Sequence, residues 1–180
     1  MRIELFRLMA DYNRWMNRNL YDCAAELTAE ELERDRGAFF GSISGTLEHL
    51  VVTDLLWLKR FRLHPTGAPL AVLDAVEAPK TLDETMFADF AEMRARRQEL
   101  DDLIVAWIGG LGDDDLAGDL TYRRMNGDTH AKAYAPTLLH FFNHQTHHRG
   151  QVTTLLFQAG VDPGVTDLVV RVPEAPHVNA

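Results

Sequence analysis

Apolar residues recur at steps of three and four in four separate stretches of this chain, and that repetition leaves few architectures open. Leu5, Met9, Tyr12, Met16 and Leu20 form the first stripe, in a helix predicted over residues 3–27. Ile43, Leu47, Leu50, Asp54, Leu58 and Phe61 form the second, over 42–63, with Ser42 as its N-cap. Leu82, Met86, Phe90, Met93, Arg97, Leu100, Ile104 and Trp107 form the third, over 81–108, where Thr81-Leu-Asp-Glu84 reads as a capping box. Phe141, His144, His148, Val152, Leu155 and Ala159 form the fourth, from Pro136 in the first turn to Gly160 as the C-terminal stop. Four amphipathic helices of this length bury their stripes against one another as a four-helix bundle.

The intervening segments set the wiring. Thr28-Ala-Glu-Glu31 opens a short helix ending near Gly37. Residues 64–80, with prolines at 65, 69 and 79, are a connection without period. Residues 117–134 read as a small β-hairpin around Asn126-Gly127, placed before the last helix. Two long crossovers, 64–80 and 109–135, argue against simple up-down-up-down order. The expectation is an all-α chain forming a single domain over 1–180, with its core in about 3–160 and a Pro- and Gly-containing tail over 161–180.

Composition narrows the function classes. A formal net charge of −9 disfavours nucleic acid as a partner, because phosphate recognition calls for clustered Lys and Arg. Arg94, Arg96 and Arg97 are the one tight basic cluster, flanked by Glu92 and Glu99, and read as a solvated helix face. The single cysteine, Cys23, excludes an internal disulfide and a Cys-rich zinc module and reads as a packed thiol. No apolar run reaches the ~20 residues of a membrane span. Met-Arg-Ile-Glu-Leu-Phe mixes charge into its apolar pattern and is not read as a signal peptide, so a cytoplasmic location without membrane partners is expected.

Four polar residues stand on otherwise apolar stripes: Asp54, Arg97, His144 and His148. A buried carboxylate needs a partner, and Arg97 is a candidate one for Asp54. His144 and His148 share a helical face at i, i+4, a spacing that lets two imidazoles reach one metal ion. An average pair of this kind is more often two hydrogen-bonded core histidines than a metal site. Here both occupy the predicted core-facing stripe, and His49, at the edge of the second stripe, offers a third imidazole. Three neutral imidazoles around a divalent ion leave at least one position for water or substrate, which is the open arrangement of catalytic sites. Zinc and nickel suit nitrogen ligands best, with iron or manganese also compatible. His140 and His147 project away from the His144/His148 line, and His64, His130 and His177 fall in turns or the tail.

Taken together, Tyr12-Asn-Arg-Trp15, Ser42-Ile-Ser-Gly-Thr46-Leu-Glu-His49-Leu with Asp54 and Trp57, Tyr122 to Gly127, Asn143-His144-Gln-Thr-His-His148-Arg149-Gly150-Gln151, and the closing Ala159-Gly160 and Thr166-Asp167-Leu168 resemble the DinB-like family over nearly the whole chain. The resemblance implies a four-helix bundle of unusual connectivity, commonly a homodimer. It implies a divalent metal held by His49, His144 and His148. The wider superfamily includes bacillithiol S-transferases and a mycothiol-dependent maleylpyruvate isomerase. Asp54, Arg97, Arg149 and Gln151 are then candidates for supporting or structural roles, and mid-helix Gly150 for close helix approach.

Three functions follow as alternatives. The first is a metal-dependent S-transferase joining a low-molecular-weight thiol, of the bacillithiol or mycothiol type, to an electrophilic small molecule. The second is a metal-dependent hydrolase, for which no carboxylate lies within a turn on the His144/His148 face. The third is a non-catalytic metal-binding protein of the stress response.

Overall fold

The computed structural model describes residues 2–175, so His177 and the end of the tail lie outside the described residues. Four long helices are present: α1 (Arg2–Ala24), α3 (Ile43–Phe61), α4 (Phe90–Gly109) and α5 (Tyr134–Gln158); α2 (Ala29–Glu33) is a short turn between the first two. Helix α1 packs on α4 and α5, and α3 packs on the same two helices, so the ring runs α1, α4, α3, α5. The long helices adjacent in sequence, α1 and α3, therefore face each other across the bundle. Their apolar faces meet in one core cluster running from Ile3 to Leu156.

Strands β1 (Asp119–Arg123) and β2 (Thr129–Ala133) pair antiparallel, Asp119 opposite Ala133 and Arg123 opposite Thr129, and pack against α3 and α5. Gly127 takes the positive φ that closes the turn, as the Asn-Gly pair predicts. Gly160 likewise takes φ +85 just past α5, where Val161 N–H returns to the Leu156 carbonyl. The tail is pinned to α1: Tyr12 Oη donates to Thr166 O at 2.6 Å and Asn19 Nδ2 to Pro163 O at 2.6 Å.

Three sequence expectations are corrected. First, the helix predicted from Thr81 begins at Phe90, capped by Asp89, whose side chain accepts from Glu92 N–H. A helix from Thr81 would bond Met86 N–H to the Leu82 carbonyl. Two residues of α3 take both partners away: Leu82 O lies 2.8 Å from His49 Nδ1, and Met86 N–H donates to Glu48 Oε1 at 2.6 Å. Connection 62–89 is thus longer than predicted and contains a 3₁₀ segment, Pro65–Ala75.

Second, the α1 stripe is rotated at its start. Leu5 is 65% exposed, while Ile3, Phe6, Ala10, Asn13 and Asn17 point inward. Third, Gly150 meets no close neighbour: a Cβ there would stand in open space, so its role is not helix approach.

Candidate metal centre

Helices α3 and α5 bring His49, His144 and His148 together, with one nitrogen from each ring lying within 4.8 Å of the others. His144 Nε2 and His148 Nε2 are 3.1 Å apart. That is less than twice a zinc–nitrogen bond of about 2.0–2.1 Å, so a single ion can reach both. The His49 ring centroid lies 4.5 Å from that of His148 and 5.3 Å from that of His144. The trio can hold a metal ion.

The rings are held by what stands behind them. A carbonyl only accepts, so the Leu82 contact puts the proton of His49 on Nδ1 and turns the Nε2 lone pair into the centre. That Nε2 is buried and has no hydrogen-bond partner among the described residues. His148 Nδ1 lies 2.8 Å from Gln151 Oε1, which selects the same tautomer. Burial pushes His49 down to about 4, the nearby His148 adding to this and the Leu82 carbonyl opposing it. Burial, reinforced by His148 and His49, pushes His144 down to about 3. His148 is also lowered, by burial first, with Gln151 opposing. The three imidazoles are therefore neutral near pH 7, the form a cation requires.

Phe40 covers the centre. Its ring stacks on His49 at 3.8 Å and meets His148 edge-on at 5.6 Å. Gly45 permits this: a Cβ there would stand 2.3 Å from the Phe40 carbonyl oxygen. His140 and His147 flank the trio, the first 6.1 Å from the His144 ring and the second 4.8 Å from the His148 ring.

The core-facing line of α5 differs from the predicted one. Gln145 and Arg149 are buried at 0% and 2% exposure, whereas His144 and His148 sit half-buried on the shoulder toward α3. Gln145 donates to Asp54 Oδ1 and, at 3.3 Å, to the Leu50 carbonyl. Arg97 Nη1 donates to Asp54 Oδ2 at 2.7 Å and Nη2 lies 3.0 Å from Asp101 Oδ1. Asp101 also accepts from Asn17 and Asn13, and Arg149 donates to Asn13. Asp54, Arg97 and Arg149 thus belong to a buried polar network in the bundle centre, and only Gln151 of the four supporting candidates touches a histidine of the trio. Arg97, read from sequence as part of a solvated basic face, is 1% exposed because two carboxylates meet it inside; Arg94 and Arg96 pair with Asp22 and Glu99 at the surface.

Sequence reasoning missed Leu82, Glu48, Phe40 and Gly45. The contributions of Leu82 and Phe40 run through a backbone carbonyl and a loop ring, which leave no periodic trace. Gly45 in the first turn of a helix was the one available signal of a close approach.

The DinB family model matches residues 1–175. Among curated proteins, the chain is 26% identical over 157 residues to Protein DinB of Bacillus subtilis (strain 168), covering 87% of each chain. No solved structure matches.

Proposed function

The chain belongs to the DinB family, and from that premise we propose that His49, His144 and His148 bind one divalent metal ion and that this centre activates a low-molecular-weight thiol for transfer to an electrophilic small molecule. The observation that carries the reading is the buried, unpartnered Nε2 of His49 turned toward two neutral imidazoles. An orphaned buried acceptor is costly, and a cation is the partner that three lone pairs share. Zinc and nickel fit three nitrogen donors best; iron and manganese are compatible.

A bound divalent ion supplies positive charge that lowers a thiol's pKa toward neutrality. The protein's own groups do the rest. The Leu82 carbonyl and the Gln151 amide hold two rings in the tautomer that presents Nε2. Phe40 shields the His49 side from water and so strengthens charge interactions there. The thiol proton passes to solvent, the sulfur forms a bond to the electrophilic carbon, and the leaving group departs with its electron pair.

A hydrolase would want a free carboxylate beside the centre as general base. Glu48, the carboxylate next to His49 in sequence, is committed to Met86 N–H and Phe87 N–H at 2.6 and 3.3 Å, which favours the thiol reading. We further propose a single domain and a homodimer in the cytoplasm. Leu5 on α1 and Leu139 and Phe157 on α5 are exposed apolar residues available for pairing.

The test is metal content of untagged protein purified without a nickel column, followed by turnover assays with bacillithiol and mycothiol. About one metal per chain, lost in His49→Ala and His148→Ala along with thiol-dependent turnover, is expected. Turnover unchanged in His148→Ala overturns the transferase. Metal binding without thiol binding supports the non-catalytic stress-response role instead.

A further inference from the structure

On the hairpin side of the histidine centre, Trp57, Tyr122, Arg124, Lys132, Thr137 and His140 line a pocket of about 450 Å³. That is the size of a small-molecule site. Its wall is aromatic: the Trp57 ring lies 5.5 Å from Tyr122 and 5.2 Å from His140. His140 in turn is one turn before His144, with ring centroids 6.1 Å apart. The pocket and the histidine centre are therefore neighbours on one face of α3 and α5.

Two cations, Arg124 and Lys132, line this pocket. Acidic residues number 27 against 18 basic ones, and several cations elsewhere are ion-paired, among them Arg34, Arg36, Arg94, Arg97 and Arg171. Arg60, Arg124 and Lys132 make no ion pair among the described residues. Instead, the half-buried Arg60 guanidinium lies over Trp57 at 4.7 Å and over Tyr122 at 5.0 Å. Arg60 is thereby placed behind the aromatic wall that Arg124 and Lys132 flank. Arg124 and Lys132 on one pocket repel one another, and an anion between them removes that repulsion. The start of α5 reaches the same rim through Ala133, Pro136 and Thr137 and adds the positive end of its dipole.

We propose that this pocket binds a small planar carboxylate, its ring against Trp57 and Tyr122 and its carboxylate between Arg124 and Lys132. Anion binding here stands independently of the metal; the assignment of the pocket as the substrate-holding subsite of the histidine centre rests on the proposed function. The substrate class is then a flat, conjugated or aromatic acid whose reactive end reaches past His140 toward His144.

The probe is 2-naphthoate, with the neutral 2-naphthamide as control, titrated calorimetrically into metal-free protein and followed by the three tryptophan indole N–H signals in ¹⁵N-labelled protein. One naphthoate per chain is expected, shifting the Trp57 indole and leaving Trp15 and Trp107 in place. The amide is expected to bind at least tenfold more weakly. The double variant Arg124→Gln/Lys132→Gln, both positions exposed, is expected to lose at least tenfold for the acid with an unchanged circular dichroism spectrum. Equal affinity for acid and amide, unchanged affinity in the double variant, or shifts centred on Trp15 overturn the pocket. A DNA duplex bound more tightly than naphthoate and lost in the same variant reassigns the patch to nucleic acid. The link to the histidine centre has its own readout: naphthoate protons relax faster in manganese-loaded than in zinc-loaded protein. Equal relaxation in protein shown to hold manganese overturns the subsite while leaving the anion pocket standing. A protein that takes up no metal yet binds naphthoate as described overturns the metal reading alone.

Discussion

Replacing Arg97 by methionine removes one cation from a group of four buried charges. Arg97 and Asp54 are each 1% exposed, Arg149 2% and Asp101 4%. Two positive and two negative side chains balance, and Arg97 bridges both carboxylates at 2.7 and 3.0 Å. Burial pulls the Arg97 guanidinium down, but Asp101 and Asp54 outweigh it and keep it charged. In Arg97→Met, Asp54 retains the Gln145 amide and Asp101 retains Asn17 and Asn13, while Arg149 is the one buried cation left among the four. Breaking a buried pair by deleting one partner costs about 3–5 kcal/mol. In a chain of this size each kcal/mol moves the melting temperature by roughly 2–4 °C, so a fall of about 6–20 °C follows. Urea unfolding of metal-free protein, followed by circular dichroism at pH 7.5 and pH 5, measures it. Burial already pushes Asp101 up to about 6 against the pull of Arg97, and removing Arg97 raises it further. A carboxyl whose folded pKa exceeds its unfolded one takes up its proton first in the folded state, so folding gains as pH falls. The deficit in Arg97→Met is therefore smaller at pH 5 than at pH 7.5. Adding Asp101→Asn restores neutrality and is expected to recover at least about 1 kcal/mol, a typical coupling between contacting groups. A loss below about 1 kcal/mol, the scale of an exposed pair, or a loss identical at both pH values, refutes the reasoning.

Three further outcomes are expected. Gln151→Leu removes the acceptor behind His148 Nδ1 and should weaken zinc binding by about 10–100-fold in calorimetry without changing the unfolding midpoint of metal-free protein by more than about 0.5 kcal/mol. Glu48→Ala frees the Met86 and Phe87 amides, so these two should exchange hydrogen faster while core amides of α3 do not; equal protection would show that Glu48 does not anchor this segment. In metal-free protein His49 and His144 contribute a loss of stability as pH falls from about 6.5 toward 4, because their folded pKa values, about 4 and about 3, lie below the ordinary histidine value and the unfolded chain takes up protons first, while the raised Asp101 contributes a slope of opposite sign. In His144→Ala that slope should involve one proton fewer, and an unchanged slope in urea unfolding would contradict the assignment.

Local pattern is enough for the four long helices and the hairpin, apart from where α4 starts. Ile43, Leu47, Leu50, Leu58 and Phe61 recur at helical spacing and all are buried, because an apolar stripe is a property of local backbone geometry and needs only a neighbour to pack on. The same locality made the His144/His148 pair legible, since i, i+4 residues meet on any helix. Tertiary structure decided the rest. Rotation of α5 about its axis depends on where α1 and α3 press on it, and that contact buries Gln145 and Arg149, polar residues that sequence left out of the stripe. They are tolerated there because Asp54 and Asn13 satisfy them from other helices. Residues 81–89 carry a helical pattern, yet Glu48 and His49 capture the Met86 amide and the Leu82 carbonyl that such a helix would have joined. A hydrogen bond between residues thirty-three positions apart has no signature in the local period, and here it both stops a helix and aims the third histidine.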